Sequence, residues 1–107
     1  MRYAFPTDDG KTVGKVFGRA RSFAIYEDGV PDPLILENGG ASSEHGAGTG
    51  AVAFLAGKGV GFVFAPELGP KAAEAIKAAG IGSKTVDAGL SLEDAMAAMV
   101  SRAKSAF

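Results

Sequence analysis

Apolar and polar positions change period along the chain, and each change marks an element. Tyr3 and Phe5 alternate with Ala4 up to Pro6, the two-residue period of a strand. Thr7-Asp8-Asp9-Gly10 then reads as a turn. Residues 11–21 keep no clean period and carry Gly14, Gly18 and the basic side chains Lys15, Arg19 and Arg21. Ser22 to Tyr26 predicts a second strand, Glu27-Asp28-Gly29 a tight hairpin turn, and Val30 to Glu37 a third strand around Leu34-Ile35-Leu36. Pro31 and Pro33 cannot donate to a ladder, which places that third strand at a sheet edge.

After a polar loop from Asn38 to Glu44 the period lengthens. Ala51, Phe54 and Leu55 stand three and four apart, one buried face of a helix from about Gly46 to Lys58 that Gly57 and Gly59 stop. Val60 to Ala65 is almost wholly apolar, as a central strand covered on both faces should be. Gly69-Pro70 opens a second helix, with Ala72, Ala75, Ile76 and Ala79 as its apolar face and Gly80 as its stop. Ser83 to Asp87 is a weaker last strand. Ser91 with Asp94 forms a capping pair for a third helix, in which Leu92, Ala95, Met96, Met99, Val100 and Ala103 hold the helical period. The Met96/Met99 pair falls on that period and reads as core filling. The order βββαβαβα implies an α/β layer domain with a mixed sheet.

Composition narrows what this domain does. A chain of 107 residues makes a single domain over 1–107 with one modest core. The net charge of -1 offers no basic field for nucleic acid, and no apolar run is long enough to span a bilayer. The first residues lack the apolar core of a signal peptide, so a cytoplasmic location is expected. Cysteine is absent, which removes disulfides, thiolate metal sites and a cysteine nucleophile.

The chain has one histidine, His45, between Ser42-Ser43-Glu44 and Gly46-Ala47-Gly48. Imidazole is a good ligand for iron, zinc or copper, and Glu44 could add a carboxylate. One histidine without thiolates is a poor complete site, but it suits a cluster that brings its own sulfur. A solvated loop histidine, or one bonded to a helix end, fits the sequence as well. Gly46-Ala47-Gly48-Thr49-Gly50 brings unpaired backbone N–H groups to a helix start, which favours an anion. It is neither a Walker motif nor, lacking the acidic residue in the right context, a dinucleotide fingerprint. A tight helix start packed on the sheet would use the same glycines. Gly69-Pro70-Lys71 repeats the arrangement, with Lys71 adding positive charge.

Several segments, in order, resemble the dinitrogenase iron-molybdenum cofactor biosynthesis family: Ala4-Phe5-Pro6-Thr7-Asp8-Asp9-Gly10, Phe17-Gly18-Arg19-Ala20, Ser22-Phe23-Ala24-Ile25-Tyr26, His45-Gly46-Ala47-Gly48, Leu55-Ala56-Gly57-Lys58-Gly59-Val60, Leu68-Gly69-Pro70-Lys71-Ala72 and Ile76-Lys77-Ala78-Ala79-Gly80-Ile81. The resemblance implies a ribonuclease H-like three-layer fold with sheet order 3-2-1-4-5 and the second strand antiparallel. The loops at 6–21, 38–46 and 66–69 would then meet at one carboxyl edge, where open α/β sheets bind ligands. It also implies a non-catalytic carrier of an iron–sulfur or iron–molybdenum type cofactor or precursor, exchanging it with a donor or acceptor protein. In that reading His45 is the metal ligand. Gly46 and Gly48 hold an anionic portion, Glu44 can join them, and Arg19 or Lys71 adds charge. Many family members carry histidine where this chain has Val16, which cannot coordinate a metal. Two other readings stay open: a metal-free domain that binds an anion or small ligand for regulation, and magnesium-dependent phosphoryl transfer through Asp8, Asp9 and Glu67.

Overall fold

The computed structural model describes residues 1–40 and 46–105, with side chains of the last helix described to residue 98. Strands β1 (Arg2–Thr7), β2 (Ser22–Glu27) and β3 (Leu34–Glu37) come first. Helix α1 (Ala47–Gly57), β4 (Val60–Ala65), α2 (Pro70–Ala78), β5 (Gly82–Thr85) and α3 (Leu92–Ser105) follow. The sheet order is β3-β2-β1-β4-β5, with β2 antiparallel to β1 and β3, and β4 parallel to β1 and β5. Both are as the family resemblance implied. Among the described residues no helix is long and apolar enough to cross a membrane.

Alternation along the strands sorts the core into two unlike layers. Tyr3, Phe5, Phe62, Phe64, Ala24 and Tyr26 face α3 with Leu92 and Ala95. Their rings form a continuous stack: Phe5 and Phe64 centroids are 5.0 Å apart, Phe62 and Phe64 4.9 Å, and Tyr26 meets Phe5 edge-on at 5.8 Å. The other face presents Ala4, Val63 and Ala65 beside Phe23 and Ile25. Small side chains on the two central strands make room there for α1, through Ala51, Val52 and Leu55, and for α2, through Ala72 and Ile76.

Several boundaries move from their expected places. Strand β1 runs past Pro6 to Thr7; its paired residues with β4 stop at Ala4, so a residue without an N–H is tolerated in this central strand. The turn at Glu27-Asp28-Gly29 forms, with the Val30 N–H donating to the Glu27 carbonyl, but it does not close the hairpin. Pro31 and Pro33 delay pairing until Leu34 meets Ile25, so β3 starts at Leu34 and not at Val30. Strand β5 starts at Gly82 and ends at Thr85, with Val86 buried just beyond it. On α2, Ala79 lies exposed at the C-terminal end and contributes nothing to the buried face.

Candidate functional site

Because β1, β3, β4 and β5 run the same way, the loops that follow them open at one edge of the sheet. Asp9 folds the first of these loops. Its carboxylate accepts from the Lys11 and Thr12 backbone N–H groups at 2.8 Å each, from the Thr12 hydroxyl at 2.9 Å and from the Thr7 hydroxyl at 3.3 Å. The two backbone donors, then the hydroxyls, hold its pKa down at about 2. Asp8 accepts from the Arg21 backbone N–H at 3.0 Å and so ties the start of the loop to its end. The middle of the loop is stitched to the segment before α3. Val13 donates to Leu90 and Gly89 to Val13, Leu92 donates to Lys11, and Thr12 forms a bridge with Ser91. As expected, the Ser91 hydroxyl caps α3 by accepting from the Asp94 N–H at 3.1 Å.

Asn38 binds the loop after β3 to the loop after β1. Its buried side-chain amide donates to the Gly18 and Ala20 carbonyls at 3.0 Å each, and its side-chain oxygen accepts from the Gly40 N–H at 3.0 Å. The sequence shows Asn38 only as the first residue of a polar loop. A useful signal was available: an asparagine directly after a strand, two residues before a glycine, is the pattern of a side chain that folds its own loop. The tightness this produces is extreme. A Cβ on Gly18 would stand 2.6 Å from the Gly48 nitrogen and 2.8 Å from its Cα, and one on Gly40 would collide with the backbone of Gly50. A Cβ on Gly48 would meet the Cβ of Ala72 at 3.1 Å. The glycines around α1 therefore serve close packing, whatever else they do.

The same packing brings three segments side by side. Gly18, next to Arg19, abuts the first turn of α1; that turn abuts Ala72, next to Lys71. Both helices start at a glycine with positive φ, Gly46 at 100° and Gly69 at 77°, and among the described residues neither start has a side-chain cap. Residues 47–49 precede the first intrahelical donor of α1, the Gly50 N–H, so their N–H groups have no acceptor within the helix. Arg19, Lys71, Lys15 and Arg21 are all exposed, and none pairs with an acid among the described residues. Val16 is exposed as well, at 55%. Glu44 and His45 lie outside the described residues.

The acidic trio does not assemble. Asp8 and Asp9 line a shallow cavity of about 480 Å³ with Lys15 and Val16. Glu67 lines a separate one of about 490 Å³ between β5 and the start of α2. Among the described residues no group of three histidine or carboxylate side chains is placed to hold a metal ion.

The family description "Dinitrogenase iron-molybdenum cofactor" matches residues 1–102. The chain belongs to that family. Similar structures are the orange protein of Desulfovibrio gigas in its apo form (TM-score 0.85, 30% identity, 94% of this chain and 88% of that one) and a Thermotoga protein described as a NifB candidate of the DUF35 family (TM-score 0.76, 30% identity, 94% and 87%). An uncharacterized protein of Methanocaldococcus jannaschii is 32% identical over 84 residues, 76% of this chain and 70% of that protein. The match to the dinitrogenase cofactor family thus spans the whole sheet, α1, α2 and most of α3.

Proposed function

We propose that this chain is a non-catalytic carrier whose cargo is an iron–sulfur or iron–molybdenum type cofactor, or its precursor, held at the carboxyl edge for transfer between proteins. The observation that carries this is the family match over residues 1–102, joined to an edge where two uncapped helix starts stand beside exposed cations. The donor set suits such a cargo better than a bare metal ion. With no cysteine in the chain, bare iron would find no thiolate. A preassembled anionic cluster brings its own sulfur and needs only one anchoring ligand, N–H groups and positive charge. His45 is the proposed metal ligand. Gly46 and Gly48 supply the close backbone, Arg19 and Lys71 the charge, and Glu44 a further carboxylate. Val16 leaves this family member without a second histidine at the edge.

Anaerobic reconstitution with an iron–sulfur or thiomolybdate–iron mixture tests the carrier. Wild type should retain metal and visible absorption through gel filtration, and His45→Ala should retain less than about a fifth of it, the loss expected for a sole protein ligand. No metal on wild type would sink the carrier reading; equal retention would remove His45 from it. The uncapped helix starts also favour a second reading, regulation by a metal-free anion. Phosphate, sulfate and molybdate should then raise the thermal midpoint, and a flat response to all three would exclude it.

A further inference from the structure

A third cavity, of about 530 Å³, lies away from α1 and α2, between α3 and the β2–β3 loop. Its floor is Tyr26, which faces the α3 side of the sheet. Pro31 and Pro33 form one wall, and Leu92 and Met96 form the other. Tyr26 is 5% exposed, yet its hydroxyl makes no hydrogen bond among the described residues, and no described polar side-chain atom is both fully buried and unpartnered. The hydroxyl therefore opens on the cleft, a polar group on an otherwise apolar floor and without a partner there. Such a group is normally satisfied.

The rim of this cleft is charged. Asp32 stands on the loop side and Glu93, in the first turn of α3, on the helix side; Lys11 is the one cation among the described residues that line it. Burial raises the Tyr26 pKa above the ordinary phenol value, and the negative charge of Glu93 raises it further. The floor thus keeps its proton at neutral pH and lies in the negative field of the rim. An aromatic ring under that field attracts cations by its own quadrupole as well.

We propose that this cleft is a second ligand site, distinct from the carboxyl edge, for a small organic cation: an ammonium or guanidinium group on an apolar body. The body lies between the prolines and Leu92 and Met96. The cationic head sits between Asp32 and Glu93, and a polar atom of the ligand completes the Tyr26 hydroxyl. Nothing in this site depends on metal loading, so it stands or falls apart from the carrier reading.

Phenethylamine, phenethyl alcohol and phenylacetate share one apolar body and differ in charge, and they test the site on isotope-labelled protein by amide chemical shifts. Phenethylamine should give saturable shifts at Gly10, Lys11 and residues 91–97, with an affinity on the order of millimolar for a ligand of this size. The alcohol should bind about threefold more weakly and phenylacetate weaker still. Asp32→Asn with Glu93→Gln, both at exposed positions, should bring the amine down to the alcohol. Tyr26→Phe should weaken amine and alcohol alike, by about threefold for one hydrogen bond, without changing their order. Absence of saturable shifts, equal affinity for all three compounds, or shifts centred on the starts of α1 and α2 would each overturn the proposal.

Discussion

The Asn38 side chain commits both amide donors to the carbonyls of Gly18 and Ala20 and its oxygen to the Gly40 N–H, all within a buried site. Truncating it strands two carbonyls and one N–H at once. Asn38→Ala should therefore cost about 2–4 kcal/mol, the sum of more than one unsatisfied buried group, measured by urea unfolding. A loss under about 1 kcal/mol would mean that water takes over these bonds. Asp9 acts on the same loop through charge. Its folded pKa of about 2 lies below the ordinary carboxylate value of 3.8, so its contribution is complete above the unfolded value and is lost as pH falls through the folded one. The thermal midpoint should drop between about pH 4 and pH 2, and Asp9→Asn should be less stable at neutral pH and show a shallower acid drop. An identical acid profile in the variant would show that other carboxylates carry the effect.

At the scale of elements, the start of α1 is fixed by contact more than by capping. Gly18 lies against backbone atoms of Ala47 and Gly48, which cannot swing aside as a side chain can. Gly18→Ala should cost about 1–3 kcal/mol and displace the amide resonances of Ala47 to Gly50. At the other end of the same helix, a Cβ on Gly57 meets nothing within 4 Å. Gly57→Ala should be neutral, or should stabilise by up to about 1 kcal/mol, because it only removes backbone freedom from the unfolded chain. Equal destabilisation by the two changes would refute this account of the helix start. The glycine-rich run was readable from the sequence in two ways, as an anion cradle or as tight packing; contacts of Gly18, Gly40 and Gly48 show the second at work and leave the first as the proposed use of the remaining N–H groups.

For the whole molecule, the order of elements was legible because period and alternation are local signals that burial enforces, while the strand order came from the family resemblance. Val60 to Ala65 is apolar throughout, and the structure covers it on both faces. What was not legible depends on partners distant in sequence. Thr7-Asp8-Asp9-Gly10 was readable as a turn, but the donors that the Asp9 carboxylate gathers from Lys11 and Thr12 appear only in the folded loop. Nor does Tyr26 reveal from its strand that it floors a cleft, because Pro31, Pro33 and Met96 reach it only through the fold. The three acidic positions had suggested a common magnesium site. In the fold Glu67 lines a different cavity from Asp8 and Asp9.

The bonds that join Lys11, Thr12 and Val13 to Gly89, Leu90, Ser91 and Leu92 link segments far apart in sequence. Synthesis runs from one end to the other, so the loop after β1 leaves the ribosome long before its partners exist. Its ordered form must wait for residues 89–92 to be made, and such long-range closure is slow relative to helix formation. The first loop of the carboxyl edge is thus completed only once residues 89–92 are in place.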